Sequence, residues 1–486
     1  MKKLFVLPLA VLALLGGQAS PMTQAHAADG LTLKVYSWED YIYEQETESD
    51  PLSVIDQFET WASNEYGQPV QVVYSTFDTN ETMYNQVAGL GESFDLICPS
   101  EYMIQKMARE GLLEKYDITG GVYDNLPNYE TYASKYLRDR LESIGISGTD
   151  TLSDYAAGYM WGTMGLIYNP ENVDPADMTS WSSLWNSDYF KKSSVKDSMR
   201  ETYLVGLIET YKDELTTLKA QYEASTIDAA AYNAALTEIL NRRSEQDVLA
   251  VEETLKALKK NIYGLEVDSG KNDIVTGKVD INVAWSGDAV YSMDIAEEEE
   301  DKILNYTVPE EASNIWFDGW VMPNGANTVL AQQFVNFISD PTIACLNMDY
   351  IGYTSFIAGD EVLARVNDVY GDPTGSESID LTYFFDGTVS VGADMVIETA
   401  ELGRQFEAQY PTEETITRCI VMQDFGADNA RVVEMWSNFK ATTLSIGAYI
   451  GIGAGVLVVV AIAVYFFLQK KKSKRHQRRK AKGTQK

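Results

Sequence analysis

Histidine is almost missing from this 486-residue chain: it occurs only as His26 and His476. With no imidazole between them, Ser-His-Asp and Cys-His nucleophiles and His-ligated zinc or iron sites are excluded there. Cysteine is scarce too. Cys98, Cys345 and Cys419 have no metal-ligand spacing, and at least one must stay unpaired within the chain. Cys98 closes the apolar run Leu96-Ile97-Cys98 and reads as a buried strand residue; a Cys345–Cys419 disulfide is left open. Positive charge is short as well. Two of the 38 basic residues lie in residues 1–27 and ten follow Gln469, so 26 basic residues face all 72 acidic ones, a formal −46 on the segment between. Such a field repels nucleic acid and attracts cations, and it also keeps a domain soluble.

Charge is absent altogether from Ala441 to Gln469. Ile446–Leu468 is rich in Ile, Val, Ala, Gly and Phe, and a transmembrane helix is expected over 444–468. Lys470, Lys471, Lys472, Lys474, Arg475, Arg478, Arg479 and Lys480 follow at once, so the 469–486 tail is expected in the cytoplasm. At the other end, Lys2 and Lys3, the apolar run Leu4–Leu15 and the exit Ala25-His26-Ala27 make residues 1–27 a secretory signal peptide. No cysteine near that exit offers a lipid anchor. The domain between is expected outside the cytoplasm, tethered to the cell membrane by one helix.

What is present can build large cores: 45% of residues are hydrophobic and 11% aromatic. The length calls for two or more lobes. Strands are expected at Leu31–Tyr36, Val70–Tyr74, Phe94–Cys98 and Val279–Trp285. Helices are expected at Val54–Trp61, Glu81–Ala88, Tyr102–Glu110, Ser180–Trp185 (with Ser180 as N-cap), Ala331–Ser339 and Phe425–Lys440. The alternation implies βαβ units, an α/β fold and a mostly parallel sheet. Glu214–Lys260 reads as a solvated helical hairpin, Ala296–Asp301 as a solvated helix end, and Glu361–Arg418 as irregular chain. No internal repeat is evident.

In open α/β sheets, ligands bind beyond the carboxyl ends of the strands. Trp38, Glu39, Asp40 and Tyr41 follow the first strand, Ser100 and Tyr102 the third, Trp285 ends a later one, and Trp316 and Asp318 lie in a segment returning across the molecule. Carboxylates bind ammonium ends, while Trp and Tyr faces cover methylenes and attract the cation. That composition suits an alkyl diamine or triamine, and sugar sites share it.

Several segments in order resemble the bacterial spermidine/putrescine-binding proteins: Tyr36-Ser-Trp-Glu-Asp-Tyr41, Tyr74 to Tyr84 with its Asn80-Glu-Thr-Met-Tyr84 block, Asp95 to Tyr102, Tyr159-Met-Trp-Gly162, Ser180 to Trp185, Arg200-Glu201, Ala284-Trp-Ser-Gly287, Trp316-Phe-Asp318 and Ile351-Gly-Tyr353. The resemblance implies a two-lobed periplasmic-binding-protein-like type II fold, with lobe 1 from 28–157 and 317–395 and lobe 2 from 158–316 and 396–440, the latter carrying the 214–260 insertion. It implies that Trp38 and Tyr41 wall the ligand, Glu39 or Asp40 meets an amine, and Ser100 and Tyr102 line the same side. Glu201 would be the second-lobe carboxylate, Trp285 would stack on the methylenes beside Trp316, Asp318 would pair an amine, and Tyr353 would close the cage. The chain departs from the family at Lys196-Asp-Ser-Met-Arg-Glu201, where Ser198 stands in place of an acid and Asp197 falls one position early; Gln423 is near the family's glutamine contact. The implied partners are a polyamine and the permease subunits of an ABC importer, with the chain a monomer and no cofactor, metal or nucleic acid. A binding protein or tethered sensor for another small organic cation is the rival reading. A secreted hydrolase stands further off: Ser193 to Lys196 matches S-x-x-K but its companion S-D-N motif is absent.

Overall fold

Strand β1 (Leu31–Trp38) runs two residues past the alternating stretch, because its parallel partner β2 (Val70–Phe77) stays in register with it from Leu31↔Val70 to Trp38↔Phe77. Between them lies α1 (Val54–Tyr66), capped by the Ser53 hydroxyl on the Asp56 amide and ended by Gly67 in the left-handed region (φ 63°). Helix α2 (Asn80–Tyr84) is shorter than expected, since the chain opens into a π turn at Asn85–Gly89. Strand β3 (Leu96–Ile97) pairs the other side of β1 in parallel and leads into α3 (Glu101–Arg109). The computed structural model describes residues 30–116, 123, 125–400 and 402–441. The expected signal peptide, the 444–468 membrane helix and the 469–486 tail lie outside them; no helix among the described residues is long and apolar enough to cross a membrane.

A second sheet is built around β4 (Ala157–Tyr168), a strand buried along its whole length. After it come β5 (Ser193–Lys196), α4 (Met199–Thr210), α5 (Lys212–Glu223), α6 (Ala229–Leu240), α7 (Glu245–Asn261), β6 (Gly264–Glu266), β7 (Ile281–Trp285), α8 (Ser286–Glu300), β8 (Ser313–Trp320) and, near the end, β9 (Cys419–Ile420). The sheet order is β9-β8-β4-β7-β5-β6. This sheet is mixed rather than mostly parallel: β4 runs antiparallel to both β7 and β8. The reason is that β4 and β8 are the crossing segments. Beyond β8, Val321 bridges Ile97, and within it Asp318 bridges Ser100, so the pair ties the second sheet to the first.

Apolar side chains form one cluster about each sheet and a third that runs between them, from Tyr36, Ile97 and Met103 to Ile274, Val279 and Met293. Leu33, Val35, Phe58, Cys98, Trp320 and Phe334 pack around the first sheet, and Met164, Trp181, Tyr203, Leu255, Ile281 and Phe439 around the far end of the second. The architecture is thus α/β and two-lobed. Two expectations need correction. Residues 214–260 form three helices rather than a hairpin, and α7 buries Val248, Val251, Leu255 and Leu258 in the second core, because its apolar residues recur at helical spacing on one face. The 361–418 stretch is also ordered: a helix at Asp360–Tyr370 and the paired strands Glu377–Asp380 and Val396–Thr399 fold inward on Phe384, Phe385, Phe406 and Tyr410. The Ser180 N-cap is present, on a short 3-10 turn, and all three cysteines are free.

Candidate ligand-binding site

The crossing strands and the turn after β1 meet at Asp318. Its Oδ2 accepts a 2.7 Å hydrogen bond from the Tyr41 hydroxyl. Its Oδ1 is buried with no hydrogen-bond partner, while the Ser100 hydroxyl lies near enough to steady the charge in part. Burial raises the Asp318 carboxyl to about 6 against the help of Tyr41 and Ser100, and the nearby Glu201 charge adds to the rise.

Aromatic rings close around it. Tyr41 meets Tyr353 edge-on at 5.7 Å, and Trp316 meets Tyr353 at 5.2 Å. Two glycines, at the ends of Tyr159–Gly162 and Ala284–Gly287, make this possible. A Cβ on Gly287 would fall 1.5 Å from the Tyr353 ring, and one on Gly162 would fall 2.8 Å from Trp316, so neither ring could sit where it does over a larger residue. The Tyr353 hydroxyl donates to Asp288 Oδ1 at 2.7 Å, and Asp288 Oδ2 pairs with the Lys196 ammonium at 3.2 Å. Lys196 in turn lies 4.3 Å over the Trp285 ring.

On the α3 side, Ser100 exchanges hydrogen bonds with Asn80, which fixes its hydroxyl beside Asp318. Tyr102 donates to Glu81, and the Arg200 guanidinium lies 4.2 Å over its ring. Glu201 is buried and accepts a hydrogen bond from the Ser198 hydroxyl. Trp38 packs on Phe77 at 4.5 Å, with its indole N–H buried and unbonded.

The structure therefore gathers Tyr41, Ser100, Glu201, Trp316, Asp318 and Tyr353 about one point, with Tyr102 and Trp285 bordering it through Arg200 and Lys196. Other named residues lie apart. Glu39 and Asp40 are exposed in the turn that Asp40 makes with a left-handed backbone (φ 51°). Asp197 pairs with Lys440 at 2.6 Å. Gln423 is exposed, and it is its carbonyl, not its side chain, that meets Arg200.

Four more residues belong to the cluster that the sequence did not assign to the site: Glu101 and Asp288, and also Lys196 and Arg200, which stood only within motifs. Glu101 is 1% exposed, sits among Arg200, Asp318 and Glu201, and is raised to about 8, chiefly by burial. Arg200, Lys196 and Asp288 complete the group. The signal for Glu101 was available: a carboxylate between Ser100 and Tyr102, at the first turn of a helix that follows a strand. Two open cavities of about 550 and 620 Å³ lie elsewhere, one beside Arg365 and Tyr370 and one beside Lys115 and Tyr155. Neither is lined by this cluster, whose side chains close directly on one another.

A two-lobed α/β architecture with acidic and aromatic side chains meeting at its crossing strands defines the class of extracytoplasmic binding folds. Residues 53–361 match the family of bacterial extracellular solute-binding proteins, and the chain belongs to that family. It is 27% identical over 340 residues to the spermidine/putrescine-binding periplasmic protein of Salmonella typhimurium, covering 70% of this chain and 81% of that one. It is 24% identical over 449 residues to the putrescine-binding periplasmic protein SpuD of Pseudomonas aeruginosa, covering 91% of this chain and all of the relative. Among solved structures, the spermidine/putrescine ABC transporter substrate-binding protein PotD from Streptococcus pneumoniae superposes with a TM-score of 0.55 at 26% identity, over 84% of this chain and 98% of that one.

Proposed function

We propose that this chain binds a polyamine, spermidine or putrescine, in the cleft between its two lobes outside the cytoplasm, and delivers it to the permease of an ABC importer. The observation that carries the reading is Asp318: a buried carboxylate with a free oxygen, ringed by Tyr41, Trp316 and Tyr353. An ammonium placed there gains a charge-assisted hydrogen bond and aromatic faces together. The names of the relatives, two of them polyamine-binding periplasmic proteins, support the same chemistry. The site then works by binding rather than by bond-breaking, with the lobes hinging shut about the ligand. Trp38, Tyr41, Ser100 and Tyr102 line the first-lobe wall, Glu201 and Trp285 the second, and Trp316, Asp318 and Tyr353 the hinge side. The uncharged 444–468 segment and the basic run after it support a membrane tether, which holds the domain near its permease and raises effective concentration without changing intrinsic affinity.

The test is calorimetric titration of the purified full chain with putrescine, spermidine and an uncharged sugar. Saturable one-site heat with an amine and none with the sugar is expected. Heat with the sugar alone would overturn the reading.

A further inference from the structure

Lys196 is the residue of the S-x-x-K match that amine binding leaves unused. It cannot partner Ser193. Side chains alternate along a strand, so Lys196 shares its face of β5 with Ser194, not Ser193. It instead stands in register with Glu266 on the parallel neighbour β6. Its ammonium reaches Glu266 Oε1 at 3.0 Å, Asp288 Oδ2 at 3.2 Å and the Val267 carbonyl at 3.4 Å. Three protons thus meet three acceptors. Beneath them lies the Trp285 ring, 4.3 Å from the nitrogen.

Two carboxylates and an indole face are what a terminal alkylammonium ligand would require. Here the chain supplies the alkylammonium itself. Burial pulls its basicity down, but Asp288 and Glu266 outweigh that and hold it charged. It is 1% exposed, so this is no surface ion pair. It is also joined to the cage: Asp288 takes the Tyr353 hydroxyl, Tyr353 meets Tyr41 edge-on, and Tyr41 donates to Asp318. Carboxylate capacity is therefore used up at the Lys196 end and left over at the Asp318 end.

We propose that Lys196 is a built-in cation that fills one ammonium position of the site, so that the site selects a linear diamine over a triamine. This rests on the polyamine reading above. A third ligand ammonium would meet like charge where Asp288 and Glu266 are already neutralised, and rejection by repulsion is an effective source of specificity.

The test is calorimetry on the full chain with 1,4-diaminobutane and spermidine, for the wild type, Lys196→Arg and Lys196→Met. The wild type and Lys196→Arg are expected to favour the diamine by about tenfold or more. Lys196→Met is expected to shift the ratio toward spermidine, whose extra ammonium takes the vacated carboxylates. Should those unpaired acids unfold Lys196→Met, as a thermal melt would reveal, the double variant Lys196→Met/Glu266→Gln removes one charge and carries the same expectation. A wild type that binds spermidine as tightly as the diamine overturns the proposal without any variant. So does an unchanged ratio in a folded Lys196→Met chain, although amine binding itself would then stand. No binding of either amine by the wild type overturns the polyamine reading and this proposal together.

Discussion

Burying carboxylates beside one another costs free energy, and Asp318 and Glu101 are in that position, with Arg200 offsetting the cost at Glu101 only in part. Asp318→Asn keeps the size of the side chain and an acceptor for Tyr41 but removes the charge. It should weaken amine binding by about 2–5 kcal/mol, read by calorimetry. The pH dependence follows in sign. Both carboxyls are raised, Asp318 to about 6 and Glu101 to about 8, so both hold protons in the unliganded fold more than free carboxyls do. A bound ammonium favours the ionised forms. Binding should therefore release protons, and affinity should climb from about pH 5 to about pH 8 and then level off, with the lower part of the climb lost in Asp318→Asn. Calorimetry in buffers of different ionisation heat counts the protons. Stability of the empty protein runs the other way: it is highest at low pH with respect to these two groups, and falls as pH rises from the ordinary carboxyl range through their raised values.

Elements set these residues in place, and two of the seats can be tested. Gly287→Ala puts a methyl into the Tyr353 ring and should displace it from Asp288. Strain of about 1–3 kcal/mol is expected in a denaturant series, with loss of amine affinity beyond it. Leu255→Ala asks about α7. If these helices were only a solvated excursion, the change would be silent; packed against Gly206 and wholly buried, Leu255 should cost about 2–5 kcal/mol, seen as a lower midpoint at unchanged m-value. The contrast shows what could be read in advance. The β1, β2 and β3 strands and the residues at their ends were legible, because alternation and strand-end position are local signals. Trp316 and Asp318 drew notice from their place in the segment returning across the molecule, and Tyr353 through motif resemblance. The burial of α7 and of the 361–418 stretch was not, since many charges on one face of a helix hide an apolar stripe on the other. Lys196 drew notice only as part of an S-x-x-K match, and its ion pairs were hidden for a different reason: they come from register with Glu266 and from Asp288, which lie 70 and more residues away in sequence.

At the scale of the molecule, the formal −46 on residues 28–440 and the buried cage act on different steps of binding. The long-range field draws a small cation toward the cleft, and such steering raises association rates by about 10- to 1,000-fold at low salt. Salt shortens its reach, to about 10 Å at 0.1 M. Contacts inside the shut cage, by contrast, are between desolvated groups that mobile ions do not reach. Raising ionic strength from about 0.01 M to about 1 M should then slow association steeply and leave dissociation nearly constant. Stopped-flow fluorescence can follow both, since Trp316 lies in the cage and Trp285 beside it. The β4 and β8 strands cross side by side, with Thr354–Ser355 also paired to β4 and bridges from the β8 segment to Ile97 and Ser100, so closure by hinging there is what would seal the ligand from salt. A dissociation rate that rose with salt as steeply as association fell would mean the amine stays in contact with solvent, and that the lobes do not close over it.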